Sequence, residues 1–333
     1  MSLSPEIKSI YERKTEGKPV IFRPEGHLIN TRGNRDLTMS QGSLNEAMIR
    51  GDILEARVVL CDNGHNLHVD LGCMRGIIPR EEGALGIDDG SVRDIALISR
   101  VNKPVVFKIT DFDKDINGRA RAVLSRRAVQ KECVENYVRE LVPGDVIDAR
   151  VTHLEGFGAF ADVGAGVSAL LPIDSISVSR IPHPDARFTT GQDIRAVVKG
   201  VDALDRVTLT HREMLGTWEQ NAAEFEAGQT VPGIVRSVEK YGIFVELMPN
   251  LAGLAEFAQN ILPGQTASVY IKSILPERMK IKLIIVDTFN EPLTSAPLRY
   301  FTDCTHIDRW VYSPESCEKV IESVFSENTD REI

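Results

Sequence analysis

Cysteine is scarce in this chain: Cys61, Cys73, Cys133, Cys304 and Cys317 are odd in number and never fall at CxxC spacing. That pattern excludes a disulfide framework and reads as reduced thiols. Cys304, His306 and Cys317 come nearest to a metal set, but three ligands at irregular spacing do not make a tetrahedral zinc site. No metal and no cofactor are expected. Long apolar runs are missing as well. "LIIV" at 283–286 is among the longest, far below the ~20 residues that a membrane-crossing helix needs. The opening "MSLSPEIKSIYERK" lacks a signal-peptide core, so the expectation is a cytoplasmic protein without a membrane partner. An excess of positive charge is missing too, with 39 Lys and Arg against 48 Asp and Glu, for a net −9. Residues 214–227 and 288–333 carry −3 and −5 of that, and no segment has the strongly basic surface of a duplex-DNA binder. Finally, there is no Walker loop, HExxH or GxSxG, and "GFGAFA" lacks the third glycine of a dinucleotide fingerprint. No catalytic residue is expected. A nuclease would need converging carboxylates, and "EE" at 81–82 and "DD" at 88–89 read as solvated turns.

What the chain does contain is a repeated cluster of rings. Aromatics make up 6% of the residues, yet "GFGAF" at 156–160 and "YGIF" at 241–244 place two rings three positions apart beside glycines. Side chains three apart on a strand point to opposite faces. A glycine-permitted bulge or twist would bring Phe157 and Phe160, or Tyr241 and Phe244, onto one face. That face could be core or a binding platform.

The two clusters mark a longer repeat. Setting Gly144 on Gly228 aligns "GDVIDARVTHLEGFGAFADVGAGVSALLP" with "GQTVPGIVRSVEKYGIFVELMPNLAGLAE" without a gap, so that Asp162 falls on Glu246. A weaker third copy begins at Gly51 and puts His65 and His68 at the ring positions. Second halves start at Asn102, Gly191 and Gly264. Apolar residues alternate within each half, with Gly, Asp and Asn between, which predicts short antiparallel strands. About five strands per copy suit a small Greek-key barrel of the oligonucleotide-binding kind. The expected fold is therefore mainly β, with three tandem five-stranded barrels at 51–128, 144–213 and 228–287. Apolar spacing of 3.6 residues predicts linker helices within 129–143 and 214–227, with Trp218 as a packing wedge. An extension at 1–50 opens with a short helix after Ser4 and continues as polar loop. The last, at 288–333, has a helix over roughly 314–325 starting at Pro314.

With the copies aligned, residues 51–287 resemble tandem RNA-binding repeats of the ribosomal S-one type. The matching pieces are "GDVIDARV", "FGAFADVG", "ALLP" and "RVTLT" in the second copy, "YGIFVEL" and "AGLAE" in the third, and "VDLG", "RGIIP" and "ARAVLSRRA" in the first. The resemblance implies exposed rings that stack on bases, a histidine ending the third strand, and an aspartate and arginine four apart. By position, the second copy keeps Phe157, Phe160, Asp202 and Arg206 but has Pro172 for the histidine. The third offers Tyr241, Phe244 and Lys280, with Glu256 for the histidine and Pro276 for the aspartate. The first has His65, His68 and Arg121, with Pro79 and Asn117 at the other two places.

Stacking on an exposed ring is worth about 1–3 kcal/mol per base and tolerates any sequence. Arg150, Lys199, Arg206, Arg212, Arg236, Lys240, Lys272 and Lys280 are candidates to follow the phosphates. Single-stranded RNA is the expected partner, because A-form grooves hide base edges from such a platform. The small ribosomal subunit stays open as a further partner. The expected function is a non-catalytic RNA-binding protein of bacterial translation or RNA metabolism. The alternative is a protein-interaction scaffold whose barrels have lost their ligand. His65 and His68 read as surface polar residues, not stacking groups.

Overall fold

The computed structural model describes residues 22–290 and 298–325; the helix expected after Ser4 lies outside them. Three closed five-stranded barrels follow one another. The first comprises β1 (Leu54–Cys61), β2 (Leu67–Asp70), β3 (Arg75–Ile78), β4 (Pro104–Lys114) and β5 (Ala120–Ser125). The second comprises β6 (Val146–Glu155), β7 (Gly158–Asp162), β8 (Ser168–Pro172), β9 (Asp193–Val201) and β10 (Val207–Thr210). The third comprises β11 (Thr230–Glu239), β12 (Gly242–Met248), β13 (Leu251–Ala255), β14 (Thr266–Leu275) and β15 (Lys280–Phe289). In each, the first strand pairs with the second and the fourth, and the third runs parallel to the fifth. Full closure removes the open edges that would invite unwanted pairing.

The alternation read from the sequence becomes the inside and outside of each barrel. Val58, Val69, Ile78, Phe107 and Leu124 fill the first; Val151, Ala159, Leu171, Val198 and Leu209 the second; Val235, Val245, Val269, Ile281 and Leu283 the third. A helix at Arg126–Asn136, capped by Ser125, followed by a 3-10 turn at Val138–Glu140, lays Val129, Val134, Val138 and Leu141 on the second barrel's core. The second connection is shorter than its apolar spacing suggests. Gly216 breaks it at φ +82° into a 3-10 turn, Arg212–Leu215, and a five-residue helix, Trp218–Ala222, which buries Trp218 against the third barrel.

The extensions differ most from expectation. Residues 32–50, expected as polar loop, form helices Arg32–Thr38 and Gln41–Arg50, capped by Thr31 and Ser40. Leu44 and Ala47 of the second helix close the first barrel. Just before them, Phe22 enters the second barrel's core. Segment 314–325 is not helical: Glu322–Val324 (β17) pairs with Arg309–Val311 (β16). The reason is tertiary. Trp310 and Tyr312 bury against the third barrel, and Ser323 joins Glu213 and Arg212, while Val320, Ile321 and Val324 are weak helix formers.

Candidate nucleic-acid interface

In the second barrel, β6 and β7 are joined by a two-residue turn, because Glu155 pairs with Gly158. Phe157 sits in that turn and Phe160 on β7. The third barrel repeats this: Glu239 pairs with Gly242, Tyr241 occupies the turn and Phe244 the strand. The rings share a face because the first of each pair stands in a turn, where strand alternation does not set its direction. The expected bulge exists, but on the preceding strand, at 151–153 and 235–237. The intervening glycine has a different task. A Cβ on Gly158 would lie 2.5 Å from the Leu171 carbonyl oxygen, and one on Gly242 would lie 2.6 Å from that of Ala255. Glycine thus lets the third strand close in beneath the rings.

Phe157 and Phe160 meet edge to face, with centroids 6.0 Å apart and planes at 86°; Tyr241 and Phe244 do the same at 6.1 Å and 84°. Edge-to-face packing is the favourable arrangement of two ring quadrupoles. It steadies the outer ring while leaving its face open. Phe157 is 58% and Tyr241 71% exposed, and Phe160 and Phe244 are half-buried. The rings are therefore not core.

Strand register defines what surrounds them. Across the outer face run His153, Phe160, Leu170 and Thr208 in the second barrel and Ser237, Phe244, Leu254 and Lys282 in the third. The corresponding path in the first barrel is Leu60, His68, Ile77 and Val123. His68 is thus the positional counterpart of Phe160, but its Nε2 lies 3.0 Å from Asp62, and His65 lies 3.5 Å from Asp94. The His68 hydrogen bond, aided by Asn66 and two backbone N–H groups, pulls the Asp62 carboxyl down to about 2.

Asp202 and Arg206 meet at 2.7 Å two residues along from Thr208. The Arg206 backbone N–H, its side chain and Leu204 N–H all hold Asp202 below the usual carboxylate range. The aspartate assignments in the other copies need correction. In the first barrel Arg121 pairs across the hairpin with Asp113, through contacts of 2.6 and 2.8 Å, and not with Asn117. Counting four residues back fails there because the hairpin is longer. In the third, Leu275 and not Pro276 stands opposite Lys280.

Cation placement divides the predicted residues. Arg150 lies midway along β6, opposite Asp162 at the end of β7 away from the ring-bearing turn, where it binds Asp193 at 2.7 and 2.9 Å and donates to the Glu25 carbonyl; it belongs to the joint between barrels. Arg236 binds Glu246 through two 2.9 Å contacts, and Arg212 reaches Glu213 and Ser323. Lys240 is exposed beside Tyr241, and Lys280 starts β15. His306, from the candidate metal trio, sits 2.8 Å from Asp145.

Sequence reading did not find the ionic joints. Glu25 is buried and takes Arg126 through contacts of 2.7 and 3.0 Å and Arg100 at 3.1 Å; its N–H donates to Asp162. Arg187 of the second barrel meets Glu246 of the third. The alignment of Asp162 with Glu246 was the available signal.

A family model described as "S1 RNA binding domain" matches residues 48–127 and 140–212. The small ribosomal subunit protein bS1 of Staphylococcus aureus is 29% identical over 280 residues, 79% of this chain and 68% of its own. A small ribosomal subunit protein bS1 homolog of Bacillus cereus is 30% identical over 303 residues, 86% of this chain and 75% of its own. Among solved structures, a multidomain protein with nucleic acid binding domains from Streptococcus pneumoniae is similar over 71% of this chain and 74% of its own, at 14% identity and a TM-score of 0.24.

Proposed function

The chain belongs to the S1 RNA-binding domain family, and we propose that it is a non-catalytic, cytoplasmic protein that holds single-stranded RNA on its second and third barrels. The observation that carries this reading is the duplicated pair of edge-to-face rings, each with its outer member open to solvent. Bases stack on Phe157 and Phe160, and on Tyr241 and Phe244, while Arg206, Lys240 and Lys280 meet phosphates; Asp202 orients Arg206. Arg150 acts from the joint, by holding the second barrel to the amino-terminal segment. Because its relatives are small ribosomal subunit proteins, this chain associates with that subunit and presents RNA to it.

The test is anisotropy of a labelled oligouridine against the intact chain over a salt series. Binding of this kind weakens as salt rises, with a log–log slope of about −0.7 per phosphate contacted. A flat profile, or preference for duplex over single strand, would refute it.

The first barrel favours the second reading, a docking module for protein. Its ring positions hold histidines engaged by Asp62 and Asp94, and Val59, Leu60, Ile95 and Ile98 are exposed. Removing the first barrel's exposed apolar side chains would then abolish pull-down of ribosomal subunits while oligouridine affinity stays unchanged.

A further inference from the structure

The two ring-bearing barrels differ in their cations. Around the second barrel's rings, Arg206 lies 2.7 Å from Asp202 and His153 is 2.7 Å from Glu155, which leaves Lys199 on β9 as the exposed cation there without a carboxylate partner among the described residues. A phosphate arriving at Arg206 or His153 must compete with a carboxylate at hydrogen-bond distance. The third barrel carries Lys240, Lys272, Lys280 and Lys282, and among the described residues none of these ammonium groups has a carboxylate partner. Lys282 is the best placed. It is exposed, lies beside Leu254 in the parallel pair of β13 with β15, and Leu254 in turn lies beside Phe244. Two strand spacings, about 10 Å, therefore separate its backbone from that of Phe244. A lysine stem spans much of that gap across the half-buried Leu254. The same register position in the second barrel is Thr208, which has no charge.

We infer that Lys282 contacts an RNA phosphate next to the base stacked on Phe244, and that the third barrel supplies most of the salt-dependent affinity. This rests on the stacking function proposed above. An unpaired ammonium releases a bound counterion for each phosphate it meets, with no carboxylate to displace. The second barrel then contributes mainly through stacking, which salt affects little.

Two variants of the intact chain, titrated with fluorescein-labelled oligouridine across a salt series, decide the matter. Lys282→Thr installs the second barrel's residue at an exposed strand position. It should lower affinity at low salt about three- to tenfold and make the log–log slope shallower by about 0.7, the loss of one phosphate contact. Thr208→Lys should do the opposite, tightening binding and steepening the slope by a similar amount. Tyr241→Ala with Phe244→Ala serves as the reference for loss of stacking. If that double variant loses binding while Lys282→Thr keeps the parent's affinity and slope, the lysine assignment is wrong and stacking stands. If the unmodified chain shows no salt-sensitive binding, both fall.

Discussion

The Arg187 guanidinium of the second barrel lies 2.5 Å from the Glu246 carboxylate of the third, with the two side chains only 3% and 5% exposed. Arg236 holds the same carboxylate from within the third barrel at 2.9 Å. The joint is thus an ionic triad with one acid and two guanidiniums, and desolvation pulls Arg187 below its ordinary range. Removing one member of a buried charge set costs about 3–5 kcal/mol when the partner is left uncompensated. Glu246→Ala strands two cations and should cost about that much. Arg187→Ala leaves Glu246 still paired with Arg236 and should cost less, about 1–3 kcal/mol. Thermal unfolding of the two variants checks the order; equal losses would contradict it.

Glu25 plays the corresponding part at the other joint. Its carboxylate accepts from Arg126, Arg100 and the Val106 N–H. Burial alone would raise its pKa, but the two guanidiniums prevail and keep it ionised. Glu25→Ala should destabilise the first two barrels by about 3–5 kcal/mol and speed proteolysis between them. Limited trypsin digestion reads this directly.

Ring removal should act on binding and not on folding. Phe157→Ala with Phe160→Ala, and Tyr241→Ala with Phe244→Ala, should each weaken oligouridine binding by about 1–3 kcal/mol per stacked base. Their melting temperatures should stay near that of the parent, since the outer rings are solvent-exposed. A loss of stability as large as the loss of affinity would show that the rings act as packing.

His211 should set the acid limit of the carboxy-terminal segment. It is fully buried, with Nδ1 3.2 Å from the Ile176 carbonyl and Nε2 3.4 Å from the Tyr300 hydroxyl. Nδ1–H therefore donates to the carbonyl, and Nε2 accepts from Tyr300, whose oxygen accepts the Arg195 N–H. Burial pushes the imidazole down to about 4 from 6.5. Between those values the unfolded chain binds the extra proton, so stability is full above about pH 6.5 and falls as pH drops toward 4. The loss integrates to about 3 kcal/mol. His211→Gln should flatten the pH dependence of unfolding in that window, as followed by circular dichroism. An unchanged slope would exclude this residue.

Much of the fold was legible because barrels are local in pattern. Alternating apolar residues, turn glycines and the repeat of "GFGAF" in "YGIF" specify strands and the number of barrels, and the ring positions follow from the alignment. The route by which the rings share a face was not legible. It depends on which pair of residues forms the hairpin turn, and a single-residue change of register would move them. The Asn117 assignment failed for a related reason, since cross-strand partners depend on hairpin length and not on sequence distance.

The sequence by itself determined the repeating strands, the ring clusters and the lack of any catalytic signature, all of which rest on interactions among near neighbours. Only tertiary structure decided the fate of the extensions and of the charges. Phe22, Glu25 and Tyr312 gain partners more than 50 residues away, and no local periodicity encodes such contacts. For the same reason Arg150 and Lys282 look alike in sequence. One is held by a carboxylate and the other is not, a difference set by packing at short range between distant segments.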